Sequence, residues 1–527
     1  MNVKKLQLPL QTVSLVLGFM VWVILSSLMP YIKEDIALSP SQLAWVTAIP
    51  ILFGSVMRIP FGYMTNRYGA RKLFMASFVL LLAPVFWISQ ANSFADLIAG
   101  GLFLGIGGAV FSVGVTSLPK YYPKERHGFV NGIYGIGNLG MALSAFGAPV
   151  VAVYLGWSQT VLLYSGVLLV LAGLNFLLGD RQEASVKTPL LEQIKAVSRN
   201  EKLWFLCLFY FLTFGSFVAF TVYLPNFLVS HFQLDKVDAG MRTAGFIVLA
   251  TAMRPVGGWL GDRFNPFKIL MFVFVGLTVA AILLSFAPSM RLYTIGCLTV
   301  AFCAGTGNGT IFKLVPLYFT KQAGIANGII SAMGGLGGFF PPLILTILFN
   351  ITGHYAIGFM ALSQIALASL ILVVWMFFQE RLTLAANIVE NTVEGIMITD
   401  VRGVIQSVNA AFTRLTGYAP EEAIGQTPSM LKSGMQDKLF YDQMWDSLRT
   451  KGFWQGAIWN RKKNGDIYME WLTISSVKND AGEVIYFAGK EVILHLEACM
   501  EPESLECLSG YRILVIPKEG AGCCQLK

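Results

Sequence analysis

Charge is scarce in this sequence. Only 13% of its 527 residues are Asp, Glu, Lys or Arg, against 55% that are hydrophobic, and the mean hydropathy is +0.63. Soluble domains carry about 25% charged residues, so a water-soluble globular chain is excluded and a polytopic membrane protein is indicated. Cysteines number seven and histidines four, with no spacing that would seat a metal ion. Cys207, Cys297 and Cys303 fall in apolar runs, and Cys499, Cys507, Cys523 and Cys524 fall near the end. Neither group makes a disulfide framework. The last absence is the most informative. No Asp or Glu stands in the middle of an apolar run, whereas two arginines do, Arg58 and Arg254.

Each arginine opens a similar segment. Residues 58–67 read RIPFGYMTNR and residues 254–263 read RPVGGWLGDR, an offset of 196 residues. An arginine at bilayer depth disfavours insertion by about 2.5–3.5 kcal/mol and is rarely kept without a partner. The simplest missing counter-charge is a bound anion. The competing reading is that both side chains snorkel to the membrane face. Their matched positions favour the anion.

Apolar stretches long enough to span, about 20 residues each, fall near 11–32, 41–64, 73–90, 95–118, 128–154 and 159–179. They resume near 204–230, 239–261, 267–287, 291–318, 325–350 and 355–379. The first span follows Lys4 and Lys5 but is too long for a signal peptide and lacks a cleavage site. Lysines and arginines crowd one set of loops, whereas the other set has only Lys33, Lys236, Arg242 and Arg291. Basic loops stay in the cytoplasm. The expected topology is therefore a multi-pass protein of the cytoplasmic (inner) membrane, with both termini cytoplasmic and the lipid bilayer as surroundings. The net charge of +8 is spread over these short loops, so nucleic acid is not an expected partner.

The repeat extends beyond the arginines. GFVNGI at 128–133 matches GIANGI at 324–329, again at offset 196, and Pro119, Tyr121 and Lys124 match Pro316, Tyr318 and Lys321 at offset 197. Duplicated six-helix halves are the plan of the major facilitator superfamily. The segment GYMTNRYGARK at 62–72 resembles that superfamily's loop signature between helices 2 and 3, through Gly62, Arg67, Gly69 and Arg71. It departs from the signature in having Asn66 where an aspartate is usual; the second copy keeps the acid as Asp262 beside Arg263. In the family these loops latch the cytoplasmic side.

Three further places narrow the resemblance to the nitrate/nitrite porter family. The fifth span has GIYGIGNLG at 132–140 and the eleventh has GGLGGFFPP at 334–342. The fourth has GIGGAVF at 105–111 and the tenth GTGNGTIFK at 305–313, while the seventh has YFLTFGSF at 210–217. The fold so implied is an all-α polytopic membrane protein of twelve helices. Its halves are 1–180 and 204–380, joined by a cytoplasmic linker at 181–203.

The resemblance implies transport of nitrate and nitrite, without a cofactor and without enzymatic chemistry. A guanidinium fork suits a planar oxyanion, so Arg58 and Arg254 are the expected substrate ligands. Asn138 is expected to add an amide, and Phe111, Tyr210 and Phe214 to close the cavity. Gly135, Gly137 and Gly140, with Gly334, Gly335, Gly337 and Gly338, would let helices approach closely and keep the cavity narrow. Lys313, near the end of the tenth span, reads as a snorkelling lysine. With no mid-depth carboxylate to carry a proton, nitrate/nitrite exchange is the simpler coupling. The alternatives are a porter for another small anion and a receptor that binds an anion without moving it.

From 385 onward the chain changes character. GIMITD at 395–400 and GVIQSVN at 403–409 read as strands, Asn464-Gly465 as a hairpin turn within 461–477, and GEVIYFAGKEV at 482–492 as a last strand. NAAFTRLTGYAPEEAIG (409–425) and FWQGAIWNRKKNGDIYMEW (453–471) resemble a PAS domain. That assigns 385–497 to a small α/β sensing or dimerising module and leaves 498–527 as a tail without resemblance. Its ligand is unknown. Cysteinyl photochemistry is disfavoured because no cysteine occurs between 304 and 498, and histidine-ligated haem because His495 lies past the last strand. A flavin-type cofactor, a small ligand and a PAS-mediated homodimer remain open, with Trp454 and Trp459 as candidate cavity residues and 382–390 as the linker.

Overall fold

The computed structural model describes residues 3–183, 189–234, 236–286, 289–320, 322–352, 356–479 and 481–493. Lys187, Lys321, His495 and the tail 498–527 lie outside the described residues. The chain divides into two compact units, Met1–Phe377 and Phe378–Lys527.

The first unit is helical. Its first half contains α1 (Val3–Trp22), α2 (Ile24–Asp35), α3 (Pro40–Tyr68), α4 (Ala70–Ser89), α5 (Phe94–Ala109), α6 (Phe111–Ser117), α7 (His127–Tyr134) and α8 (Leu139–Leu178). A short α9 (Leu190–Ser198) occupies the polar gap. The second half follows as α10 (Glu201–Phe232), α11 (Lys236–Arg263), α12 (Pro266–Ser285), α13 (Met290–Tyr318), α14 (Ala323–Thr352) and α15 (Ala356–Asn391). Ten stretches among the described residues are long and apolar enough to cross a membrane. One of these, Lys124–Leu178, holds two spans, because Gly156 takes φ 76° inside α8, a left-handed conformation that favours glycine. Counting them separately and adding α11 places a helix at each of the twelve expected spans. α11 is not among the ten.

Local chemistry explains the helix ends and breaks. Ser39 accepts from the Gln42 backbone N–H while Gln42 accepts from that of Ser39, a capping box that starts α3. The fourth span breaks at Val110 between α5 and α6. The fifth passes through a 3-10 turn at Gly135–Asn138 between α7 and α8. Prolines at 50 and 60 in α3, 255 in α11 and 316 in α13 sit inside helices, where neighbouring helices re-satisfy the freed backbone groups.

The halves cross at four glycine positions that repeat at offset 196. α7 packs on α11 and α14 packs on α3. A Cβ added at Gly132 would lie 2.6 Å from the Arg254 carbonyl oxygen, and one at Gly328 would lie 2.7 Å from that of Arg58. Toward the loop end, a Cβ at Gly128 would meet the Gly258 carbonyl, and one at Gly324 that of Gly62. Only hydrogen fits there, so both seams are backbone against backbone. Four other glycines of these spans face their own half: Gly137 meets Leu15, Gly140 the Val16 backbone, Gly337 the Phe211 and Gly215 backbone, and Gly338 Val218.

The second unit is a five-stranded antiparallel sheet in the order β2-β1-β5-β4-β3. The strands are β1 (Gly395–Asp400), β2 (Ile405–Val408), β3 (Phe453–Arg461), β4 (Ile467–Lys478) and β5 (Val484–Ile493). The helices are α16 (Ala410–Thr416), α17 (Pro420–Ala423) and α18 (Lys438–Lys451). The β3–β4 hairpin turns at Asn464-Gly465, with Gly465 at φ 96°. α15 continues to Asn391, so the 382–390 linker is helical. One sequence expectation is corrected here. Neither Trp454 nor Trp459 lines the cavity of this unit: Trp454 packs edge-on to Phe440 at 5.7 Å, and Trp459 alternates away from the lining residues Ile458 and Asn460. The cavity tryptophan is Trp445 of α18.

Candidate functional site

Arg58 of α3 and Arg254 of α11 are 0% and 1% exposed, so neither snorkels to the surface. Arg58 donates from Nε to the Gly108 carbonyl at 3.2 Å and from Nη1 to the Ser331 carbonyl at 2.7 Å. Its Nη2 has no partner. Arg254 donates only from Nη2, to the Tyr210 hydroxyl at 3.4 Å, leaving Nε and Nη1 without partners. Among the described residues, no carboxylate pairs with either guanidinium. A buried charge left in this condition is strongly destabilising unless something else supplies the opposite sign.

Aromatic rings hold the two cations in one place. The Arg58 guanidinium lies over the rings of Phe111 at 5.3 Å and Phe214 at 5.4 Å. Arg254 lies over the same two rings at 5.5 and 5.8 Å. Sharing rings, the cations are close enough to repel each other across a dry interior, where that repulsion is far stronger than in water. Tyr210 stacks on Phe214 at 5.1 Å and on Phe111 at 6.4 Å. All five side chains are sealed from solvent. Ring faces turned to both guanidiniums offset part of the burial cost.

Helix breaks put these groups there. The interruption at Val110 starts a new helix at Phe111, and the same Val110 carbonyl accepts from the Tyr134 hydroxyl at 2.9 Å. The 3-10 turn at Gly135–Asn138 lies against Arg254: a Cβ at Gly135 would meet its Nε. A Cβ at Gly335 would meet Ser55 Oγ and lie 3.4 Å from Arg58 Nη1, while one at Gly334 would meet the Tyr210 ring. Asn138 ends that turn, buried, with both amide atoms unpartnered. Among the described residues no hydrogen bond joins it to the arginines.

The sequence reading missed Ser331, Gly108 and Trp22, whose ring lies 5.5 Å from the Arg58 guanidinium. It also missed a pair of cross-half hydrogen bonds. Asn131 Nδ2 donates to the Phe312 carbonyl at 3.4 Å, and Asn327 Nδ2 to the Val115 carbonyl at 3.0 Å. The signal was present, since both asparagines stand at the same place in the GFVNGI and GIANGI repeats.

The loop motifs lie at one end of the seams. Asp262 accepts from the backbone N–H groups of Gly128 at 3.0 Å and Phe129 at 2.7 Å, at the start of α7, and pairs with Lys313 Nζ at 2.7 Å. Lys313 also donates to the Lys124 carbonyl. It is thus an ion-pair partner in a cross-half latch, which corrects its reading as a snorkelling residue. Asn66 occupies the matching place beside Gly324, so the second seam has a neutral amide where the first has a carboxylate. Arg67 donates to the Tyr63 hydroxyl at 2.9 Å, and Arg71 to the Phe176 carbonyl at 2.7 Å. Gly69, at φ 82°, separates α3 from α4, and Arg263 lies over the Trp259 ring at 5.5 Å. Removing one partner of a mostly buried ion pair costs about 3–5 kcal/mol. Asp262→Asn should therefore lower the melting temperature in detergent by several degrees, and an unchanged value would remove the latch.

Two six-helix halves crossing at paired glycine seams define a membrane-transporter fold as the structural class. The chain belongs to the major facilitator superfamily: that family's model matches residues 12–342 and 228–417. The PAS fold model matches residues 384–489. A relative from Bacillus subtilis, named nitrite extrusion protein, is 65% identical over 72% of this chain and 96% of its own. A Staphylococcus epidermidis protein named probable nitrate transporter NarT is 53% identical over 72% of this chain and 99% of its own. Among solved structures, the human organic anion transporter MFSD10 shares the fold with TM-score 0.58 at 16% identity, covering 70% of this chain and 99% of its own. The E. coli fucose:proton symporter FucP does so with TM-score 0.57 at 14%, covering 71% and 99%. These relatives are transporters, not enzymes.

Proposed function

We propose that the membrane unit moves nitrate and nitrite across the cytoplasmic membrane by alternating access, binding the anion between Arg58 and Arg254. One observation carries this reading: two buried guanidiniums with unpartnered donors and no carboxylate partner among the described residues. The names of the relatives support the choice of anion. On this reading the basic loops and both termini face the cytoplasm, the glycine seams and the Asp262–Lys313 latch hold that side closed, and the PAS unit serves as a sensor.

The coupling that fits is exchange. Arg58 and Arg254 supply positive charge but no group that releases a proton at neutral pH, and among the described residues no carboxylate pairs with them. Each half-cycle then carries one monovalent anion. Liposomes containing the purified protein and loaded with nitrite are expected to take up external nitrate without a pH gradient. Uptake that demands an inward proton gradient and ignores internal nitrite would rule exchange out. Anion binding with no flux in either condition would instead favour a receptor.

A further inference from the structure

At the loop end the halves meet along two seams related by the repeat, and unlike chemistry closes them. In the first, α7 packs on α11 and α13. Asp262 there binds the Gly128 and Phe129 N–H groups and the Lys313 ammonium. In the second, α14 packs on α3 and α6. Asn66 stands where the first seam has Asp262, and at the local offset of 197 Thr116 stands where it has Lys313. Neither member of the ion pair is present.

Hydroxyl and amide groups occupy the second seam instead. Ser112 and Thr116 stand one turn apart on α6, and Asn327 and Ser331 one turn apart on α14, so each pair shares a helix face. All four are buried. Asn327 Nδ2 donates to the Val115 carbonyl at 3.0 Å and to the Thr116 hydroxyl at 3.3 Å. The Ser112 and Ser331 hydroxyls meet at 2.9 Å. Ser331 gives its one proton to the Gly328 carbonyl at 3.1 Å, so Ser112 is the donor between them. The first seam has no such rung, because the positions matching Ser112 and Ser331 are Gly309 and Gly135. Its matching amide, Asn131, makes one longer bond, at 3.4 Å.

We propose that Ser112, Thr116, Asn327 and Ser331 form a neutral clasp that closes the α6–α14 side of the transport path at the loop end. It stands in place of the ion pair that closes the other side, and opening this end breaks it. The bonds cross between halves in a dry interior, where a hydrogen bond is stronger than in water. They hold only while the halves stay together there. The clasp also positions the anion centre. Ser112 follows Phe111, whose ring lies against both guanidiniums, and the Ser331 carbonyl accepts from Arg58. The inference rests on the alternating access proposed above, and its test reads opening rather than flux, so each can fail without the other.

Hydrogen–deuterium exchange of the full-length protein in detergent, read by mass spectrometry without anion, tests the clasp. Asn327→Ala removes one rung; Ser112→Ala removes the other and leaves the Ser331 carbonyl to Arg58. In each variant, peptides covering 112–120 and 323–331 are expected to exchange roughly five-fold faster than in wild type, the worth of about one hydrogen bond. At the opposite end, where Trp157 Nε1 donates to Asp35 Oδ2 at 2.6 Å, exchange should slow, because an alternating path closes one end as it opens the other. Loss of packing alone would speed exchange at both ends. Asn66→Asp added to either variant should reverse the change. Asn66 lies against Gly324 at the start of α14, where a carboxylate meets the helix N–H groups as Asp262 does on α7. Unchanged loop-end exchange in both variants, faster exchange at both ends, or no reversal by Asn66→Asp would each overturn the proposal.

Discussion

Arg58→Lys and Arg254→Lys each lower nitrate flux by roughly ten- to hundred-fold with the protein still in the membrane, since a charge-assisted hydrogen bond is worth about 1.5–3 kcal/mol. Lysine keeps the charge but loses the planar fork, and with it the paired donors that match two oxygens of one anion. It also loses the flat cation that lies over Phe111 and Phe214. The two sites should not respond alike. Arg58 is tethered to the Gly108 and Ser331 carbonyls, so its replacement also strands two acceptors. Arg254 has only the long Tyr210 bond, so its loss is mainly a loss of anion contact. Liposome uptake normalised to inserted protein checks both, and near-normal rates in both variants would overturn the site.

The second large effect comes from atoms that are not there. Gly132→Val and Gly328→Val place branched side chains against the backbone of the arginine-bearing segments. The first Cβ alone would sit 2.7 Å from Pro255 Cα, and the second 2.9 Å from Ile59 Cα. Overpacking of this kind costs about 1–3 kcal/mol or more. Here the helix that yields is the one that aims the guanidinium. Flux is therefore expected to fall at least about ten-fold in each variant. Gly147→Ala serves as control, because nothing lies within 4 Å of its added Cβ. If the two valine variants transported as well as this control, the seams would have no part in the cycle.

How much of this was legible in the sequence depends on whether the signal was local. The spans were readable because apolar length is a local property, and the PAS strands because alternation and the Asn464-Gly465 turn are local too. The repeat at offset 196 was readable because duplication leaves identical spacing; it contains Gly132 and Gly328, but the packing glycines expected were Gly135, Gly137 and Gly140 with Gly334, Gly335, Gly337 and Gly338. Partners were not readable. Lys313 looked like an isolated basic residue until folding brought it to Asp262 across 51 positions of chain. Ser331 contributes a backbone carbonyl to Arg58, and a carbonyl leaves no mark in a residue's identity. Trp454 and Trp459 were drawn in by residue type, whereas strand alternation and the placement of α18 chose Trp445.

The central claim is that Arg58 and Arg254 await an anion as their missing counter-charge. Calorimetric titration of the purified protein with nitrate tests it most directly, comparing wild type with the Arg58→Gln/Arg254→Gln double variant. One nitrate per wild-type chain is expected. In the double variant binding is lost while the melting temperature without anion is held or raised, because glutamine removes two uncompensated buried charges. Undiminished nitrate binding by the double variant would contradict the account.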